Sequence, residues 1–346
     1  MAERLAAHTT LRIGGPARSW VEPESEAELI EAVRTVDEAG EQLLILGGGS
    51  NLVVADAGFP GTVVHTGLIR GVHTEDVAAC SGAFVSVAAG EPWDAFVAET
   101  ISRRQVGIEA LSGIPGLVGA TPIQNVGAYG QEVSQTIARV RVYDREEHRV
   151  VTRSVVDCHF GYRRSIFKGI PDRFVVLTVS FQFRLGTLSD PVRYAELARA
   201  LGIETGTRAP MVEVRQAVLE LRRGKGMVLN AEDHDTWSAG SFFTNPLVSP
   251  TIAAGLPPEA PRYPQPDGTV KTSAAWLIEH AGFSRGYGPG LARISTKHSL
   301  ALTNRGGASA AEVLALARQV RDGVEKAYGI RLQPEPVLIG ATLEDG

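Results

Sequence analysis

The stretch ILGGGSNLVVAD, residues 45–56, sets three glycines and a Ser–Asn pair between two apolar runs. The first run predicts a strand, GGGSN a turn, and LVV a second short extended segment. Consecutive glycines let successive backbone amides point into one concave nest suited to a phosphate. A tight turn with no ligand satisfies the same five residues, so both readings stand at this point. Two common alternatives are disfavoured. The segment is not a G-x-G-x-x-G opening a long helix, and G-x-x-x-x-G-K-[ST] occurs nowhere in the chain.

Upstream, SEAELIEAVRTVDEAG at 25–40 aligns Leu29, Ile30, Val33 and Val36 on one helical face, with Ser25 and Glu28 as a capping box and Gly40 at the exit. Residues 19–66 therefore read as an alternating αβ unit. From 71 to about 186 the pattern becomes β-rich in AFVSVAAG, ARVRVYD and RFVVLTVSFQFRL, interrupted by a helix over Trp93–Arg103 and a long glycine-rich loop. Further helices are expected over Met211–Arg223, within SAAWLIEHAG (273–282), and over 309–328, where Ser309 and Glu312 form another capping box. IRLQPEPVLIGA, from 330, reads as extended.

The length of 346 residues suggests two or three domains. With 34 Lys and Arg against 39 Asp and Glu, the formal charge is −5, which argues against a basic nucleic-acid surface. No apolar run reaches the length of a membrane span, and MAERLAAHTTLRIGG lacks a signal-peptide core, so neither membrane insertion nor secretion is expected. Cys80 and Cys158 match no zinc spacing and make no disulfide framework, so a reducing cytoplasm is the simplest setting. The composition stands out in its 38 Gly and 19 Pro, and the glycines cluster.

The second cluster is SGIPGLVGATPIQNVGAYG, 112–130, in which Gln124 and Asn125 supply uncharged donors and acceptors. It suits a large planar or diphosphate ligand lying against the backbone, or a long structural loop. GYRRSIFK, 161–168, sets a tyrosine beside two guanidinium groups and a lysine, the chemistry of a carboxylate or phosphate site or of a solvated loop. In SAGSFFTNP, 238–246, Ser241 lies between glycine and two phenylalanines, where a hydroxyl is placed to donate a proton. It lacks the G-x-S-x-G elbow of a hydrolase. In LQPEPVLIG, Glu335 sits between two prolines in an apolar stretch that favours a raised pKa, although a lone glutamate is often a solvated edge residue.

Together HTTLRIGGPA, ILGGGSNLVVAD, GIPGLVGATPIQNVGAYG, GYRRSIFK, AGSFFTNP and LQPEPVLIG resemble, in order and over nearly the whole chain, the UDP-N-acetylenolpyruvoylglucosamine reductase family. The resemblance implies an α+β, three-domain flavoprotein with a vanillyl-alcohol-oxidase-like FAD-binding module and a C-terminal substrate domain. The implied bounds are 1–70 plus 330–346 and 71–226 for the two cofactor subdomains, and 227–329 for the substrate domain. It implies noncovalent FAD held by Gly47, Gly48, Gly49, Ser50 and Asn51 and by Gly113, Gly119, Thr121, Pro122, Gln124, Asn125, Gly127 and Ala128. NADPH would be the hydride donor, sharing the cleft with UDP-N-acetylglucosamine enolpyruvate.

By the same resemblance Arg163 contacts the substrate carboxylate, Ser241 donates the proton and Glu335 is the catalytic acid. Tyr162, Tyr194, Lys225, Asn245 and His280 match substrate-contacting positions, with a short insertion at 231–237 near Lys225. Two departures stand out: Pro336 and Val337 replace the valine and arginine that follow the glutamate in many relatives, and His280 stands where another relative has glutamine. No obligate protein partner is implied. An FAD oxidase or dehydrogenase of another small substrate, and a noncatalytic nucleotide-binding protein, remain the alternative readings.

Overall fold

In a computed structural model, which describes residues 2–78 and 80–344, the helix Glu26–Glu38 lies between two sheets. The first sheet is parallel, in the order Ala17–Val21, Phe59–His65, Leu43–Leu46. The second is antiparallel and six-stranded; its main path runs Arg149–Ser154, Ile137–Asp144, Phe174–Leu185, Gly82–Ala88, Val72–Ala78, and Gln105–Val106 pairs with the long strand. Leu29, Val33 and Val36 pack with Leu43 and Val64 on one side and with Tyr143, Val175 and Leu177 on the other. Burying each of these three helix side chains contributes about 1.5–3 kcal/mol, which is what fixes the helix between the layers. At its start Ser25 Oγ accepts from Glu28 N at 3.2 Å, but the Glu28 carboxylate accepts from Glu24 N at 2.9 Å. Only half of the expected capping box forms, because the returning contact lands one residue earlier.

The αβ unit read over 19–66 also needs one correction. Leu52–Val54 does not join its neighbours' sheet but pairs in parallel with Val337–Ile339. The other side of the long antiparallel sheet is covered by the helix Trp93–Ser102, whose Trp93, Phe96 and Val97 pack with Phe181, Phe183 and Val85.

Residues 238–328 add two small antiparallel sheets, one of them ordered Ser238–Ser241, Ala301–Asn304, Ala292–Ile294. Helices Ala274–His280 and Ala310–Tyr328 close over them. Both halves of the Ser309–Glu312 capping box are present here, and the helix ends at Gly329 in the left-handed region. The N-terminal motif ties this layer to the first sheet. Thr10 Oγ1 donates to Ser238 O at 2.7 Å, and Asn304 Nδ2 donates to Leu11 O at 3.2 Å.

Among the described residues no helix is long and apolar enough to cross a membrane, and no cluster of three His, Cys, Asp or Glu side chains is placed to hold a metal. Cys80 is exposed and Cys158 is buried, with burial the main cause pushing the Cys158 thiol up to about 12. A thiolate-directed reagent at pH 8 should therefore label one of the two cysteines in the native protein and both after denaturation. Mass spectrometry of the labelled protein checks this; rapid labelling of Cys158 in the native state would contradict the burial.

Candidate active site

The two glycine clusters touch. A Cβ on Gly48 would lie 2.7 Å from Gly116 Cα, and one on Gly49, at φ +57°, would lie 1.9 Å from His8 O. Only glycine lets the turn pass between these two backbones. Gly47 to Asn51, together with Thr121, Gln124 and Gly127, line a cleft of about 1480 Å³ of empty space, part of it open to solvent. Arg163, Ser241 and Glu335 line the same cleft, as do Lys168 and Arg222.

The two prolines flanking Glu335 carry no N–H and cannot extend a ladder, so its own amide and side chain do the positioning. Glu335 N donates to Phe242 O, and Val337 N to Asn51 O, each at 2.9 Å. Asn51 Nδ2 donates to Gln124 Oε1 at 2.8 Å and to Glu335 O at 3.3 Å. Gln124 Nε2 completes the relay by donating to Glu335 Oε1 at 3.3 Å. Burial raises the Glu335 carboxyl above its ordinary value; Arg163 and Lys168 oppose this without reversing it. The proline-flanked apolar environment thus has the expected direction of effect.

Arg163 is held in a sparsely populated conformation, φ +99°, a strain of order 1–3 kcal/mol. Its Nη1 donates to Asn125 O at 3.0 Å and its Nη2 to Gly127 O at 2.8 Å. Both ends of the fork are anchored, which leaves Nε facing Glu335 Oε1 at 3.4 Å, within ion-pair range and without a protein hydrogen bond. Lys168 Nζ donates to Glu335 O at 3.5 Å. Ser241 ends the strand Ser238–Ser241, fixed from behind by the buried Phe242 and Phe243. One cation, one half-buried acid and one hydroxyl thus face a common space.

Tyr162 and Asn245 border an adjoining hollow with Arg163 and Lys168. The Tyr162 hydroxyl accepts from Asn245 N at 3.3 Å, and Asn245 Oδ1 accepts from Ala274 N at 2.9 Å, which fixes the two side chains against each other. Tyr194 and Lys225 gather elsewhere, around Tyr129. The two tyrosine rings meet edge-on at 5.5 Å, and Lys225 Nζ lies 2.5 Å from the Glu196 carboxylate. His298, which no motif singled out, lies half-buried in the same region. Burial first, then Lys225 and Arg285, pushes its imidazole down to about 4, so it is neutral at pH 7.

Other candidates lie off the cleft wall. A Cβ on Gly119 would meet Ala89 Cβ at 2.6 Å, so this glycine serves close packing. Asn125 spends its amide internally, donating to Glu132 Oε2 at 2.8 Å and Gly161 O at 3.2 Å and accepting from Ser134 N at 3.1 Å. Gly113 and Pro122 are behind the lining, and Ala128 pairs with Gln131 in a short ladder. His280 is exposed, stacked on Trp276 at 3.9 Å with its Nδ1 2.8 Å from Trp276 O.

A nest of glycine amides opening into a long cleft, with buried donors on its wall, fits an elongated dinucleotide. Comparison with known proteins gives that fit a context. A family model described as "FAD binding domain" matches residues 17–153, and one described as "UDP-N-acetylenolpyruvoylglucosamine reductase, C-terminal domain" matches residues 232–339. A UDP-N-acetylenolpyruvoylglucosamine reductase of Cutibacterium acnes is 58% identical over 342 residues, covering 98% of this chain and 90% of its own. One of Thermobifida fusca is 56% identical over 349 residues, covering 98% and 97%. The crystal structure of the reductase from Thermus caldophilus aligns with a TM-score of 0.65 at 25% identity, covering 98% of this chain and 99% of that one.

Proposed function

The chain belongs to the UDP-N-acetylenolpyruvoylglucosamine reductase family, and from this premise we propose how its own residues carry the reaction. It is an FAD-dependent oxidoreductase that reduces UDP-N-acetylglucosamine enolpyruvate to UDP-N-acetylmuramate with NADPH, a step of peptidoglycan precursor synthesis. The observation that carries the residue assignment is the meeting of Arg163, Ser241 and Glu335 in the cleft lined by both glycine clusters.

The FAD that Gly47 to Asn51 and the 112–130 loop would hold would supply hydride transfer from NADPH to C3 of the enolpyruvyl double bond. Negative charge then grows at C2 and on the substrate carboxylate. Arg163 Nε, free of any protein hydrogen bond, receives that carboxylate. Glu335, whose burial raises its pKa above the ordinary carboxyl value against the pull of Arg163 and Lys168, adds a second donor in its protonated form, where an ionised acid would repel the substrate. A well-placed donor of this kind stabilises the transition state by about 3–4 kcal/mol. Ser241 delivers the proton to C2.

Gly47 to Asn51 and the 112–130 loop cradle the cofactor; Gly113, Gly119, Pro122, Asn125 and Ala128 shape that loop, and Thr121, Gln124 and Gly127 face the cleft. Tyr162 and Asn245 hold the sugar nucleotide near Arg163, and Tyr194 and Lys225 its distal, uridine diphosphate end. Residues 1–70 with 330–346 and residues 71–226 form the cofactor module, and 227–329 closes over substrate. The two free cysteines agree with a cytoplasmic setting.

The test is an anaerobic visible spectrum of the flavin-loaded protein, followed through addition of NADPH and then of UDP-N-acetylglucosamine enolpyruvate. Bleaching by the first and recovery with the second is the expected result. Bleaching without recovery would mean a different acceptor, and a protein unable to take up FAD would overturn the reading.

A further inference from the structure

Thr10 is held between the glycine turn and the strand that ends in Ser241. Its backbone N donates to Gly49 O at 3.1 Å, and its Oγ1 donates to Ser238 O at 2.7 Å. The residue is buried and lines the cleft with Gly49 and Ser241. Two further links tie the same segments. Asn304 Nδ2 donates to Leu11 O and to Arg12 O, each at 3.2 Å, while Asn304 N donates to Trp237 O at 3.0 Å. Arg12, at φ +55°, lays its guanidinium 4.1 Å from the Trp237 ring centroid.

The placement of Ser238 matters because the strand that follows it is irregular. Ser238 pairs with Thr303 and Ser241 with Ala301, so four residues on this strand oppose three on its neighbour. Gly240 absorbs the extra residue at φ +76°, and its N donates to Ser238 Oγ at 3.2 Å. A bulge of this kind re-aims the side chain beside it, and the aim is defined only when both of its ends are held. The far end is held by the pairing of Ser241 with Ala301 and by Phe242 N donating to Leu300 O. The near end is Ser238, whose carbonyl Thr10 grips. We propose that Thr10 is a positioning residue for the proton donor: by joining Ser238 to the glycine turn it sets the direction in which Ser241 presents its hydroxyl to the cleft. The proposal rests on the reading of Ser241 given above, and Thr10 acts through that residue without touching the reacting carbon.

Thr10→Val keeps the branched shape and the backbone N–H while removing the Oγ1 donor, and Thr10→Ser restores the donor. Thr10→Val should bind FAD, read by flavin fluorescence, and be bleached by NADPH as the wild type is. Its reoxidation by UDP-N-acetylglucosamine enolpyruvate should slow at least about tenfold, since a catalytic group displaced by about 1 Å can lose about 10²-fold in rate. Thr10→Ser should recover most of that loss. The sharper comparison is made on Ser241→Ala, where adding Thr10→Val should slow reoxidation no further, because the two changes act on one step.

An equal penalty with and without the Ser241 hydroxyl overturns the proposal, as does wild-type reoxidation by Thr10→Val. A parallel fall in flavin affinity, bleaching rate and melting temperature overturns it too, and would make Thr10 a structural residue of the N-terminal segment. Thr10→Ala repeats the comparison should the valine variant fail to fold. Ser241→Ala that reoxidises at the wild-type rate would instead sink the proton-donor reading, an outcome distinct from failure of the Thr10 assignment.

Discussion

Ser241→Ala is expected to leave NADPH able to bleach the flavin while blocking the return of electrons to the enolpyruvyl substrate, with turnover falling by about 10²–10⁴-fold. The reason is the division of the site. Ser241 closes a short strand whose position is set by the buried Phe242 and Phe243, by Phe242 N donating to Leu300 O at 2.7 Å, and by the pairing of Ser241 with Ala301. Removing one oxygen leaves that support and the glycine cradle untouched. The first half-reaction needs no proton from this hydroxyl, whereas completing the second requires one at C2. Rapid-mixing absorbance of each half-reaction separates the two, and an unaltered oxidative half-reaction would remove Ser241 from the mechanism.

Glu335→Ala is expected to lower turnover by about 10²–10³-fold, since the donor that faces the substrate carboxylate is lost and Arg163 is left alone. Its pH profile provides a sharper criterion. Burial, the largest influence, raises the Glu335 pKa, and the cations Arg163 and Lys168 only reduce that rise. The protonated form therefore persists above the ordinary carboxylate range, and wild-type activity should decline as pH rises through the elevated value. Glu335→Gln keeps a neutral donor that does not ionise in this range, so it should lack that alkaline decline even if its maximal rate is reduced. The linkage to stability has the same sign. With the folded pKa above the ordinary carboxyl value of 4.5, the proton stabilises the folded state fully below that value, and this contribution is lost as pH rises through the folded pKa. Identical alkaline limbs for wild type and Glu335→Gln would exclude Glu335 as the titrating acid.

Local periodicity made the helices legible. The helix observed at Ala310–Tyr328 with its complete capping box, and those at Trp93–Ser102 and Met211–Gly224, follow from apolar spacing and end signals that act within a few residues. Strand partnership was not legible, because LVV carries the same extended signal whether it joins Leu43–Leu46 or Val337–Ile339. The same limit governs the site. Glycine spacing announced the cradle, yet nothing local distinguishes Gln124, whose amide reaches the cleft and Glu335, from Asn125, whose amide is consumed by Glu132 and Gly161. His298 and Arg222 escaped notice for a related reason: each acquires its character from desolvation and from charges brought in by distant segments.

The parallel pairing of Val337–Ile339 with Leu52–Val54 has a kinetic consequence. The Asn51 amide and the Glu335 carbonyl that it contacts are separated by 284 residues in sequence, so their meeting is among the most costly loop closures the chain makes. Helices such as Glu26–Glu38 need only neighbours and form early by comparison. During refolding, helical circular dichroism should thus return before the carboxyl group reaches the glycine turn, and the appearance of catalytic competence marks the joining of the two remote segments rather than the growth of ordinary secondary structure.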